Sequence, residues 1–207
     1  QAPQSPIDSV NPFIGTGFHG HTYPGATAPY GAVQLSPDTR KGNWDACSGY
    51  HYSDSTLMGF SHTHLSGTGC IDLGDILFRP SLQTPLAFSH SDEKASPGYY
   101  SVNLREAGVL AELTTTPHVG IHRYTYKKGI EATLVVDMDH LLDNEYIYEG
   151  WVKQTGENEL TGMRRTRGWV DNQYVFFVAQ FSQPFSSMEQ PSERQAVLTF
   201  DTTTGKP

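Results

Sequence analysis

Eleven of the 20 glycines fall between Gly15 and Gly74, at positions 15, 17, 20, 25, 31, 42, 49, 59, 67, 69 and 74. A glycine costs more backbone entropy to order than any other residue, so a chain needing only a core would not gather them this way. Such density suits segments where backbones turn tightly or come close to something else. Long ordered loops on a rigid scaffold usually carry function. The same stretch holds five of the nine histidines, His19, His21, His51, His62 and His64, together with Trp44, Tyr23, Tyr30, Tyr50 and Tyr52.

From about Leu86 the text becomes regular. Tyr100, Val102 and Leu104 alternate with Ser101 and Asn103, and Val109, Ala111 and Leu113 alternate with Leu110 and Glu112. Ile130–Val136 is a mostly β-branched run, and Tyr146–Val152, Trp169–Phe181 and Ala196–Phe200 also read as strands. Turn signals separate them at Ser96-Pro97-Gly98, Ala107-Gly108, Lys128-Gly129, Thr155-Gly156, Asp171-Asn172 and Gln183-Pro184. This spacing predicts a sandwich or barrel. The expected fold is therefore all-β, a large antiparallel β-sandwich with long Gly/His/aromatic-rich loops and few short helices. Only Val135–Asp143 has a brief helical reading, and aspartates punctuate it.

A chain of 207 residues is one domain in size. Charged residues make up 17% and aromatics 12%, which argues against disorder. The net charge of −8 argues against nucleic acid or an anionic membrane as partner. No apolar run approaches the ~18 residues of a membrane helix. The polar, proline-rich start, Gln1 to Pro6, reads as the mature end of an exported protein or a cut edge. Cys47 and Cys70 make no disulfide framework; two reduced, partly buried thiols are preferred over one bridge.

His19-Gly20-His21 and His62-Thr63-His64 are H-x-H pairs. On a strand, each would turn two imidazoles to one side, toward a metal or a polar substrate. No carboxylate stands at ligand spacing, so loop hydrogen bonding or substrate binding is preferred. Asp72 and Asp75 read as an acid–base pair or, preferably, as a turn capping Ile76-Leu77-Phe78; Asp137 and Asp139 read alike. Asn43-Trp44-Asp45-Ala46-Cys47-Ser48-Gly49-Tyr50-His51-Tyr52 packs indole, phenol, imidazole and carboxylate into one loop. Aromatic faces stack on the C–H faces of sugars while polar groups take the hydroxyls, against the alternative that Trp44 is core. Cys47 with His51 suggests a thiol nucleophile, but no third member or oxyanion hole accompanies it. Arg164-Arg165-Thr166-Arg167 reads as a solvated strand edge paired with local carboxylates.

Val10-Asn11-Pro12-Phe13-Ile14-Gly15-Thr16-Gly17, His19-Gly20-His21-Thr22-Tyr23-Pro24-Gly25-Ala26-Thr27 and Pro29-Tyr30-Gly31-Ala32-Val33-Gln34-Leu35-Ser36-Pro37-Asp38-Thr39 resemble the start of glycoside hydrolase family 92. Cys47–Tyr52, Gly59–Gly69, Gly162-Met163-Arg164-Arg165 and Trp169–Phe185 continue the likeness. Phe18 and Tyr30 depart around the glycines, and Ala46 stands where a glycine is expected. The resemblance implies a calcium-dependent, inverting exo-α-mannosidase. Its N-terminal β-sandwich docks on a C-terminal (α/α)6 barrel that carries the catalytic acid, the base and the calcium site.

Residues 1–207 then form an incomplete N-terminal sandwich, the stretch from Asp201 to Pro207 reading as a turn with no closing strand. The chain would be inactive alone, without a catalytic residue or metal ligand of its own. The resemblance implies substrate-binding roles for Trp44, Asp45, Cys47, Ser48, His19, His62 and His64, with Trp44 shaping the leaving-group subsite. It implies terminal α-linked mannose as substrate, α-1,2-linked on high-mannose N-glycans, and the catalytic barrel as partner, in a periplasmic or extracellular protein. The alternatives are a stand-alone carbohydrate-binding module and a cupin-like metalloenzyme built on the H-x-H pairs.

Overall fold

The computed structural model describes residues 5–143 and 146–202. Residues 203–207 of the terminal turn expected over Asp201 to Pro207, and the first four residues, lie outside them. Helical structure among the described residues is limited to three 3-10 turns, Pro6–Ser9, Trp44–Ala46 and His90–Asp92, and none is long enough to cross a membrane. All strand pairing is antiparallel.

One layer is a seven-stranded sheet in the order Ala26–Thr27, Gln34–Asp38, Gly59–Ser61, Leu77–Arg79, Ala132–Asp137, Gln195–Phe200 and Ser187–Ser192. The other layer is split. A four-stranded sheet runs Gly120–Tyr126, Val109–Thr115, Tyr99–Leu104 and Glu93–Ser96, and a three-stranded sheet runs Tyr146–Gly156, Glu159–Arg167 and Gln173–Gln180. Thr56–Leu57 pairs separately with Leu86–Ala87.

Register explains how one face of the large sheet serves both smaller ones. Phe60 lies opposite Phe78, Phe78 opposite Val136, and Val136 opposite Ala196, so all four side chains share a face. Leu35 and Phe60 pack with Tyr100, Val102, Leu104, Ala111 and Leu113 of the four-stranded sheet. Phe78, Leu134, Val136 and Leu198 pack with Val152 and Leu160 of the three-stranded sheet. The expected sandwich is present, with two apolar cores side by side.

Three sequence readings change. Val135–Asp137 finishes a strand, and the segment after it is turn and bend, not helix. Asp75 is more than a turn cap, and Arg164 is not a solvated edge: the guanidinium is 1% exposed and forks onto Asp75 Oδ1 through Nε (3.0 Å) and Nη2 (2.5 Å). Its Nη1 donates to the carbonyls of Met138 and His140. The strand's pleat sends Arg164 and Leu160 inward and Arg165 outward, where Arg165 lies over the rings of Tyr148 and Tyr174.

Removing one partner of a buried, hydrogen-bonded pair strands the other charge and typically costs about 3–5 kcal/mol. Arg164→Met is therefore expected to lower unfolding free energy by about that much, whereas Arg165→Met on the outer face costs under about 1 kcal/mol. Urea midpoints measure both, and equal losses would contradict the inward placement of Arg164.

Candidate functional site

The glycine-rich loops are held by a buried polar centre. Asp38, fully buried at the end of its strand, lies between two imidazoles: His64 Nε2 is 2.6 Å from Oδ1 and His140 Nε2 is 2.7 Å from Oδ2. His64 Nδ1 donates to the Gln34 carbonyl (2.7 Å), so both nitrogens of His64 face oxygens. Burial alone would raise the Asp38 carboxyl; the two imidazoles overcome it and hold the group well below the usual carboxylate range. Burial pushes His140 below its ordinary value, and the hydrogen bond to Asp38 pulls it back in part. Gly49 crosses this centre at φ +84°, where a Cβ would stand 2.2 Å from Asp38 Oδ1. Only glycine satisfies both the dihedral and the space.

Above this centre lies an exposed cluster. Trp44 begins a 3-10 turn whose N-cap, Asn43, accepts the Asp45 N–H at 3.0 Å. The indole is 54% exposed, yet its Nε1–H donates to the Gly69 carbonyl at 3.0 Å, which fixes its orientation. The indole is therefore not core. His19 and His21 flank it, with ring centroids 5.4 and 4.3 Å away. His19 Nδ1 is paired with Asp45 Oδ1, and its ring packs against Phe18, itself 80% exposed.

Backbone strain gathers in these loops. Phe18, His21 and Tyr30 have φ of 55–57°, as does Ile76 in the second loop, and Leu73 has 75°. Non-glycine residues adopt this region at a cost of about 1–2 kcal/mol, so the surrounding contacts must enforce it. Phe18 and Tyr30 are the two positions that depart from the resemblance around the glycines. His21 is held at its carbonyl by Ser48 Oγ–H (2.5 Å) and by the Gly67 N–H (2.7 Å), while its Nε2 is buried without a protein partner.

Of the residues singled out in the sequence, the structure brings His19, Trp44 and Asp45 together at the surface. Ser48 and Cys47 are buried beneath them; burial pushes the Cys47 thiol up. Both cysteines are free thiols. His51 bonds to Ser53 Oγ and the Phe18 carbonyl rather than to Cys47, so the pair is no nucleophile–base couple. Tyr50 is core, its hydroxyl donating to Glu93 at 2.7 Å. His64 is buried and engaged at both nitrogens, so it cannot touch a ligand.

His62 belongs to a different place. Its Nδ1–H donates to the Ile76 carbonyl (2.6 Å), and its Nε2 accepts from His122 Nε2–H (3.0 Å). His122 Nδ1 in turn accepts from the Tyr124 hydroxyl (2.8 Å). The second H-x-H pair diverges because the chain leaves its strand at Ser61, which ends the two-residue alternation. Among the described residues, no three or more His, Cys, Asp or Glu side chains gather to hold a metal. Phe18 and the Asp38–His140 contact were not singled out as site features in the sequence; His21 was, as half of an H-x-H pair, but the left-handed backbone that aims it has no signal there when the residue is not glycine.

The family model of the glycosyl hydrolase family 92 N-terminal domain matches residues 9–206. This chain belongs to that family. A family GH92 alpha-mannosidase of Bacteroides thetaiotaomicron, solved alone and in complex with mannoimidazole, superposes at a TM-score of 0.87 with 36% identity, over 95% of this chain and 30–31% of that one. The gh92 family glycosyl hydrolase ccman5 gives 0.79 and 27%, over 94% of this chain and 30% of that one. A secreted, uncharacterized glycosidase of Arthroderma benhamiae is 28% identical over 156 residues, 65% of this chain and 20% of that protein. The chain thus spans about a fifth of the curated relative and under a third of these solved structures.

Burial drives His62 down to about 4 from 6.5. Its folded value lies below its unfolded one, so the unfolded chain takes the proton first as pH falls. Its contribution to stability is complete above pH 6.5 and drains away toward pH 4. Thermal melts across this window should show Tm falling, with a shallower fall in His62→Gln. An unchanged slope would mean that His62 is not the titrating group.

Proposed function

We propose that this chain is the substrate-wall domain of a longer exo-α-mannosidase. The observation that carries this reading is the Trp44 indole, solvent-facing yet fixed through Nε1–H to Gly69, with Asp45 and His19 at its edge. A flat apolar face suits the C–H face of a sugar ring, and the carboxylate and imidazole suit its hydroxyls. Family membership and the likeness to a mannosidase seen with mannoimidazole support mannose as that sugar. The finer reading is terminal α-1,2-linked mannose on high-mannose N-glycans, cleaved with inversion by an exported enzyme. The secreted relative supports export.

Inverting hydrolysis needs two carboxyl groups about 6.5–9.5 Å apart, one protonating the leaving oxygen and one activating water. The carboxylate beside Trp44 is Asp45, and His19 already engages it. Asp38 and Asp75 are buried in ion pairs. The role of this chain is therefore to bind and orient, with acid and base supplied by an (α/α)6 domain outside it. Calcium takes about six to eight oxygen ligands. Asp38, Asp45 and Asp75 are committed to histidine or arginine, so these residues do not fit that ion, and its ligands too are assigned to polypeptide outside this chain.

Two outcomes follow. The 207-residue chain alone is expected to release no mannose from α-1,2-mannobiose above a heat-denatured control, and measurable turnover would refute the division of roles. In the full-length enzyme, Trp44→Ala should remove about 1–3 kcal/mol of stacking and apolar contact. That is about a 5–150-fold fall in kcat/KM at ~1.4 kcal/mol per tenfold. The loss should be larger for mannobiose than for an aryl mannoside, whose leaving group lacks the stacking sugar. Equal losses on both substrates would remove Trp44 from the leaving-group subsite.

A further inference from the structure

The split in the second layer leaves a slot of about 860 Å³ between its two sheets. Consecutive residues line it on both sides, Gly120 to His122 of the four-stranded sheet with His118 and Val119 just before them, and Val175 to Gln180 of the three-stranded sheet with Phe181 just after. Neighbouring residues on a strand point to opposite faces, so walls made of consecutive residues are strand edges rather than side-chain faces. Both strands are edges. Among the described residues, Gly120–Tyr126 pairs only with Val109–Thr115, and Gln173–Gln180 pairs only with Glu159–Arg167. The floor is apolar and belongs to the seven-stranded sheet: Ile76, Phe78 and Leu134.

What the slot lacks is backbone partners. Its buried polar side chains are already satisfied, His62 and His122 by each other, by Ile76 and by Tyr124. None of the buried side-chain polar atoms without a partner lines it. A small-molecule pocket would present convergent polar groups. Two free strand edges over an apolar floor instead match an added strand. The inward-facing Val175, Phe177 and Ala179 are only half-buried beside it, whereas Leu160 on the adjacent strand is fully buried. Val119, Ile121, Phe176 and Val178 form an exposed apolar rim. Long apolar edges left open are an aggregation hazard that folded proteins cover.

We propose that this slot receives an extended strand of the same, longer polypeptide, which hydrogen-bonds to both edges and joins the two small sheets into one layer. The occupant is assigned to the same polypeptide because this chain spans only 30–31% of the mannosidase chains it resembles. The inference rests on strand edges and is independent of the sugar-binding role of Trp44.

Residue-resolved hydrogen exchange on the full-length protein tests it. In each edge strand about half the amides point away from the existing partner strand and into the slot. These slot-facing amides in 120–126 and 173–180 should exchange at least about 100-fold more slowly than unstructured peptide, as central strands do. Exchange within about tenfold of unstructured rates on either edge would overturn the proposal. So would protection lost on dilution, which would assign the slot to a second copy, and so would a native protein whose intact mass is 22.9 kDa.

Discussion

The Asp38 carboxylate, with an imidazole on each oxygen, is the contact on which the loop half depends. A charge this deep is tolerated only when its partners are in place. Those partners come from far along the chain, 26 residues away for His64 and 102 for His140. The polar path then continues. The His140 carbonyl takes Arg164, Arg164 takes Asp75, and Asp75 accepts from Thr63 (2.6 Å) and Gln173 (2.9 Å). One connected set of hydrogen bonds thus runs from beneath Gly49, through the large sheet, to the edge strand of the three-stranded sheet. The loops that carry Trp44 are fixed because the polar groups below them have no other way to be satisfied.

The strands legible in the sequence are those whose buried face is apolar. Val109–Thr115 and Gln195–Phe200 bury Val, Leu and Ala in alternation, Tyr99–Leu104 and Ala132–Asp137 bury mostly apolar runs, and all four lie within a few residues of where the pattern put them. In Glu159–Arg167 only the end was legible, and as a solvated edge, because Arg164 and Thr166 occupy its inward positions and mimic a polar surface. Gly120–Tyr126 failed for a related reason: its inward residues, His122 and Tyr124, are polar at their tips, and Arg123 and Thr125 face out. Period-two reading depends on a difference in polarity between faces. A buried ion pair or imidazole chain removes that difference without changing the pleat.

The loop half was legible as a place of close backbone approach but not as a geometry. Glycine density marked where backbones come close, and Gly49 against Asp38 is a direct instance. Histidine density was ambiguous, because an imidazole looks the same in sequence whether it faces solvent or closes a buried network. His19 and His64 each belong to an H-x-H pair; one is paired with Asp45 at the surface and the other is sealed between Asp38 and Gln34. Only the path of the chain after Ser61 separates them.

That sorting bears on what this domain can do chemically. General acid–base catalysis requires a group free to gain and lose a proton at a reacting atom. Asp38 is held ionised by two imidazoles, Asp75 is fixed by a guanidinium, and His62 and His122 are kept neutral by burial and by each other. Each is committed to the structure by partners it cannot leave. What remains at the surface is an indole whose one polar atom is already bonded, with a carboxylate and an imidazole paired beside it. Such an arrangement loses little entropy when a ring lies against it, because the aromatic face is oriented before the ligand arrives. A pre-set surface of this kind suits recognition rather than proton transfer.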